Sequence, residues 1–321
     1  MTVVRSWIAR SSSPDGVSDI GTVAWKLQKE IILLLAWGPA ILLQLAHPLV
    51  AQGVADHSIF RSERWGRTRR FYRTLDAMLG LCFGTEREAL AVVARINAIH
   101  DRVHGQLRET AGLFPAGTPY SAHDPALLAW VHATLLAMNL RVYELFVGPL
   151  CAGDRDRYCV EASSIEGHLG VPEGHLPRSF GELQQHMSAK LASREITVTD
   201  TARTLARSIV YPEVPRLAEP AVGLMRLTTI GVLPPTIREG YGFGWRSRNQ
   251  AMLRLSAELV RRLLPLTPPI IRYWPAARVA YRAASQSSCP VHMFRGRRLS
   301  NAFADGSATG QPDQRHRSTT C

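Results

Sequence analysis

DPALLAWVHATLLAMNLRVYE, residues 124–144, is the stretch whose reading decides the fold. Asp124 can accept a hydrogen bond from the first free amides, and Pro125 stands where its missing N–H costs nothing. About six helical turns then follow before Gly148-Pro149 ends them. Apolar side chains run nearly all the way round, from Leu127, Leu128 and Trp130 to Leu140 and Val142, leaving no wide polar face before Arg141 and Glu144. Such a helix is buried. His132 lies at its centre, and an unpaired buried polar group costs roughly 1–3 kcal/mol, so each ring nitrogen needs a partner. That partner is a backbone carbonyl or a water in one reading. In the other it is a metal, for which neutral imidazole is the commonest protein ligand. Ala129, Ala133 and Ala137 recur every fourth residue beside it and make a strip of small side chains. A flat macrocycle can approach such a strip, but from the local pattern alone plain helix packing is the preferred reading.

The composition sets bounds around this helix. At 321 residues, 46% hydrophobic and 20% charged, the chain has a globular balance and is read as one main domain. Its formal charge of +12 is nearly all arginine, because Lys26, Lys29 and Lys190 are the only lysines. No basic block alternates with aromatics, so no nucleic-acid partner is expected; the charge suits an anionic membrane surface or the carboxylates of a cofactor. Cys82, Cys151, Cys159, Cys289 and Cys321 are odd in number and lack C-x-x-C spacing, which points to a reducing compartment. Residues 1–20 show no signal-peptide pattern, so a cytoplasmic location is expected, with peripheral membrane association as a further expectation.

Ahead of the central helix, Ile31 to Ala55 carries no Asp, Glu, Lys or Arg. Pro39, Pro48, Gly38, Gly53 and the polar Gln44, His47 and Gln52 argue against a membrane span. Two buried helices broken near Gly38-Pro39 and His47-Pro48 fit better. Arg70, Arg73, Thr74 and Ala77 share a helix face at spacings of three and four, opposite Leu75, Met78, Leu79 and Cys82. Thr85-Glu-Arg-Glu88 is a capping box that starts a helix expected to run to His104-Gly105. His100 and His104 would then lie four apart on one face, but without the H-E-x-x-H pattern of zinc proteases. Further helices are expected from Asp154 to Leu169, Leu183 to Ala192, Thr201 to Val210 and Arg248 to Leu264, then a short basic one ending near Ala284. Leu227 to Trp245, with Pro234-Pro235, reads as a bend or as a loop lining a pocket. Residues 1–20 are expected to be flexible and the basic tail from 285 to 321 disordered.

In order, Gly38-Pro39 with LLQLAHPLVAQGVADHS (42–58), RFYRT (70–74), FGT (83–85), INAIHDRVHG (96–105), DPALLAWVHA (124–133), YE (143–144) and DRY (156–158) resembles the catalytic domain of latex clearing proteins (rubber oxygenases) and MpaB-type oxygenases. The likeness covers about residues 20–285. It implies an all-α fold, a single multi-helix domain with globin-like packing around a heme pocket, spanning 21–284. It also implies a b-type heme and O2 as co-substrate, and it reverses the preference for a purely structural His132, which matches the heme-ligating histidine. Ala129 and Ala133 then border the macrocycle. Arg70 and Thr74 match a distal arginine and threonine, and Arg73 stands at a basic position. His47, His57 and His100 fall in recurrent motifs that shape the pocket.

Two departures narrow the transfer. Ala129 and Leu136 stand where rubber-degrading members have arginines, and Asp56 is only a candidate for their acidic residue. Rubber itself is not the expected substrate. The reading is a heme-dependent oxygenase acting on a small or membrane-dissolved apolar molecule, such as an isoprenoid or other alkene. Its rivals are a non-catalytic heme-binding or sensor protein, and a non-heme metal hydrolase using His47, His57, His100 and His104.

Overall fold

The computed structural model describes residues 20–57 and 64–287. The flexible start expected for residues 1–20 and most of the expected tail therefore lie outside the described residues. The chain is all-helical apart from one two-stranded hairpin among the described residues.

Its first part comprises helix α1 (Val23–Gln28), a 3₁₀ turn (Ile31–Ala36), α2 (Trp37–Leu45) and α3 (Pro48–His57). The apolar run is broken as expected at His47-Pro48, where the helical directions differ by 105°. Pro48 has no N–H to extend the previous ladder and is well placed to open a new helix. The earlier break comes at Ala36-Trp37, where the 3₁₀ turn gives way to α2, so Pro39 sits in the first turn of a helix. Gly38 is required there: a Cβ would meet Thr229 Oγ1 at 2.1 Å, on α11 (Glu219–Val232). The close approach of the Thr229 side chain to the α2 backbone fixes how α2 packs.

Then follow α4 (Arg64–Phe83) and α5 (Glu86–His100), the latter started by the anticipated capping box of Thr85 and Glu88. This helix stops at His100, and His104 opens strand β1 (His104–Gln106), which pairs antiparallel with β2 (Pro119–Ser121), Gly105 facing Tyr120. The expected helix to His104-Gly105 is thus corrected. The Asp101 amide still bonds Asn97, but those of Arg102 and Val103 take tighter bonds to Ile99 and His100, and the chain turns into the hairpin.

Central helix α6 (Pro125–Phe146) fits its sequence reading, Asp124 accepting from the Ala126 amide at 2.8 Å. Trp130, Ala133, Val142 and Phe146 are completely buried. The 3₁₀ turn, α2, α9 (Phe180–Ala192) and α13 (Ser247–Leu263) pack around it. It is long and apolar enough to cross a membrane, but 67% of its apolar window is buried inside the fold. Burial of this stripe is the main favourable contribution to the core.

Before α9 lie α7 (Ala152–Ser163) and α8 (Glu166–Leu169); after it come α10 (Asp200–Val210), α11 and α12 (Pro235–Gly240). The bend expected from Leu227 is also corrected: Leu227 to Val232 completes α11, and Pro234 and Pro235 mark the restart rather than a long loop. Finally α14 (Pro269–Arg272) and α15 (Pro275–Ser287) bring the chain back to its beginning. Arg272 Nη2 donates to buried Glu30 at 2.6 Å, and the Trp274 amide donates to the Lys29 carbonyl at 3.1 Å. Trp25 and Phe83 meet edge to face, in one cluster with Ala277 and Ala280.

Candidate functional site

His132 projects from the middle of α6, and its position within the core is what the apolar sequence on both sides dictates. Its Nε2 is shut off from solvent and has no hydrogen-bond partner among the described residues. Burial alone, with no charged group contributing, pushes its pKa from 6.5 down to about 4. The ring is therefore neutral at ordinary pH, with a nitrogen lone pair or N–H left unmatched in an apolar setting. Unmatched nitrogens occur also at His100 and His186, but charged neighbours act on both: Asp101 on the first, Lys190 and Glu195 on the second.

Helix α7 packs on the side of α6 that carries His132. Positions 132, 136, 139 and 143 share one side of α6. Asn139 Nδ2 donates to Tyr158 Oη at 3.0 Å, and Gln28 Nε2 donates to the same oxygen at 3.1 Å. Gln28 then lines a cavity of about 20 Å³ together with Leu75, Met78, Leu79 and Cys82 of α4, and Trp37. This network joins α1 and α7 to the side of α6 that carries His132, about two turns along, while α4 itself packs on α1, α5 and α15. Arg70, Arg73 and Thr74 all belong to α4; Arg73 and Thr74 are exposed. Between Tyr72 and Cys82 no residue of this helix is buried.

The alanine strip divides between two packing regions. Ala129 is buried with Leu128, Val171 and Leu176, whereas Ala133 is completely buried in the main core. Beside them, neutral His132 supplies the donor chemistry that a heme iron requires, and its unmatched Nε2 is the atom that would bind. The 20 Å³ cavity is far below the roughly 300–1,000 Å³ typical of ligand pockets.

Of the four histidines of the hydrolase reading only His57 and His104 stand side by side, their rings 6.5 Å apart. His47 faces the Phe114 ring at 5.2 Å, His100 faces His123 at 5.7 Å, and His57 Nε2 bonds the His104 carbonyl at 3.0 Å. Because α5 ends at His100, the i, i+4 face with His104 does not form. Among the described residues, no group of three His, Cys, Asp or Glu side chains converges in a way that could hold a metal ion.

Asp56 is engaged on every side. Gln52 donates at 3.0 Å, Tyr120 Oη at 2.8 Å, and Arg108 forms an ion pair with it. Burial pushes its carboxyl up, but the hydrogen bonds from Gln52 and Tyr120 and the charges of Arg108 and His57 outweigh this and hold it below the usual range. It is a tied carboxylate bracing α3 against the hairpin, a role that sequence could not reveal because Arg108 and Tyr120 lie more than fifty residues away. His186, on α9, carried no local motif to draw attention. The Gly-rich stretch does edge an opening: Gly240 to Phe243 line a groove of about 450 Å³ with Arg203, Arg207 and Tyr211.

The model of one family, described as ER-bound oxygenase mpaB/B'/Rubber oxygenase, catalytic domain, matches residues 25–262, from α1 to the last turn of α13. Comparison with curated proteins and with solved structures gives no match.

Proposed function

Since the chain belongs to the ER-bound oxygenase mpaB/B'/Rubber oxygenase catalytic-domain family, it is an oxygenase, and we propose that it holds a b-type heme through His132 and oxygenates a small apolar molecule, an isoprenoid or another alkene. The observation that carries this reading is the unmatched, solvent-free Nε2 of His132 at the centre of the main core helix. A fold tolerates such a group where a ligand completes it, because leaving it empty costs roughly 1–3 kcal/mol.

Heme when bound would supply O2 activation and the redox chemistry. His132 would hold the iron through Nε2, and its depressed basicity keeps the ring neutral, the form that can offer a lone pair to a metal, well below neutral pH. Ala129 and Ala133 limit side-chain bulk next to the ring. Arg70 and Thr74, with Arg73 beside them, are the proposed catalytic donors: their N–H and O–H groups would stabilise oxygen as it gains negative charge. Leu75, Met78 and Leu79, with Trp37, supply an apolar wall on the α4 side that suits a hydrocarbon and excludes water.

The test is the visible absorption spectrum and iron content of the purified protein beside its His132→Ala variant. An intense porphyrin band with about one iron per chain, lost or shifted in the variant, is expected. A colourless protein that also fails to take up added heme would overturn the proposal.

A further inference from the structure

From Ser247 to Ser287 the chain carries seven arginines, no lysine or aspartate, and one glutamate, Glu258. The same segment exposes its large apolar residues. On α13, Leu253 and Ala257 face inward, leaving Met252, Leu255, Leu259 and Leu263 on an outer stripe at 52–72% exposure. Leu266, Ile270 and Ile271 extend it through the next turn and α14, each at least 65% exposed. Apolar residues scattered singly on a surface need no explanation, but seven in one continuous segment mark a contact site. Arg248 and Arg254 are exposed around this stripe, as is Arg262, which pairs with Glu258 one turn back at 2.8 Å, whereas Arg261 and Arg272 are turned inward onto the Glu144 carbonyl and onto Glu30.

We propose that the outer face of α13, with the turn and α14 that follow, docks onto an anionic lipid surface, the leucines and isoleucines entering the headgroup boundary and the arginines meeting lipid phosphates. A helix with apolar residues on one side and arginines flanking it has the composition of an in-plane membrane contact. The anchor residues are large and aliphatic, and the guanidinium groups sit on long stems that reach headgroups while the helix lies flat. A second copy of the chain is the competing occupant, and charge disfavours it: pairing this face with itself would set arginines against arginines with a single glutamate from each chain. Anionic lipid supplies the opposite charge that a second copy lacks. The docking does not rest on the heme reading, since it uses none of the residues around His132.

The full-length protein is to be sedimented with vesicles of pure phosphatidylcholine and with vesicles containing phosphatidylserine, at low and high salt. Binding to the anionic vesicles, weakened by salt, is expected. Leu255→Glu/Leu259→Glu should reduce binding at least tenfold, while Leu217→Glu, altering a residue that is 98% exposed on another segment, should leave it unchanged. Arg248→Gln/Arg254→Gln should weaken anionic-vesicle binding by about fivefold per charge and leave neutral-vesicle binding unaltered. Circular dichroism checks that each variant remains folded, as expected for solvent-facing positions. Wild type that ignores anionic vesicles, or binds them as well after the leucine changes, overturns the proposal. Self-association on size exclusion that is abolished by Leu255→Glu/Leu259→Glu, without vesicle binding, assigns the face to a second copy and overturns it equally.

Discussion

His47 and His132 are both deep in the fold, and in both burial is the main force holding the pKa near 4. They differ in what surrounds the ring. His47 stands at the start of α3, where its Nδ1 accepts from the Leu49 amide at 3.3 Å, filling one of the orphan positions at a helix N-terminus. Phe114 covers the ring, and Lys190, Glu195 and Asp124 add charges that partly oppose one another. His132 has no such company: Nε2 is without a partner and no charge contributes to its shift. Burial of an imidazole is therefore a poor sign of ligation, and the unmet hydrogen-bonding capacity is the better one. One histidine completes the fold; the other leaves a hydrogen-bonding capacity unmet.

The largest expected effect separates the two by cofactor retention. His132→Ala should bring iron and porphyrin to background and oxygen-dependent turnover with them, whereas His47→Ala should keep both in the fraction that stays folded. Equal retention in the two variants would erase the distinction.

Acid provides the next separation. The unfolded chain protonates His47 near 6.5 and the folded chain only near 4, so the unfolded state binds more protons between these values and stability falls as pH falls through that window. The shift corresponds to about 3 kcal/mol, present in full above pH 6.5 and lost by pH 4. Denaturant titrations at pH 7 and pH 4.5 should show most of this loss in wild type and a visibly smaller loss in His47→Leu. An unchanged pH dependence in that variant would show that His47 titrates normally.

Apolar replacement should then act with opposite sign at the two sites. In heme-free protein, His132→Leu removes an unmatched polar atom and should stabilise the fold by about 1–2 kcal/mol, while His47→Leu removes a cap and should cost about 1–2 kcal/mol. Thermal melts of the two variants decide it, and destabilisation by both would indicate that His132 is satisfied in the fold.

Sequence made α6 legible from Asp124 to its end because every signal there is local: the cap, the proline and an apolar surface on all sides. The Thr85 box and the break at His47-Pro48 were legible for the same reason. Local pattern failed where a distant partner decides. It extended α5 to His104, which instead pairs with Ser121 across the hairpin. It gave no sign that Arg108 and Tyr120 bind Asp56. It had no means of joining Glu30 to Arg272, 242 residues apart, in the ion pair that closes the fold. At the site, His132 and its apolar surroundings could be read from one helix. The lack of a partner at Nε2 could not, because that is a property of everything packed around it.

The smallest expected effect concerns the cover over His47. Phe114 touches its ring and belongs to the loop between β1 and β2, so Phe114→Leu keeps an apolar side chain but loses the aromatic contact. Such pairs are worth about 0.5–1.5 kcal/mol beyond area burial, and denaturant titration should show a loss of stability within that range. A thinner cover also admits water, which eases the desolvation that depresses His47, so its pKa should rise from about 4 toward 6.5 when followed by NMR. His47 stands in the turn before α3, covered by Phe114, and His132 stands in the middle of α6, so the porphyrin spectrum should not change. A shifted band in Phe114→Leu would instead show that the surroundings of His47 and His132 form one continuous pocket wall, and the contrast between a structural and a ligating histidine would have to be redrawn as a single site.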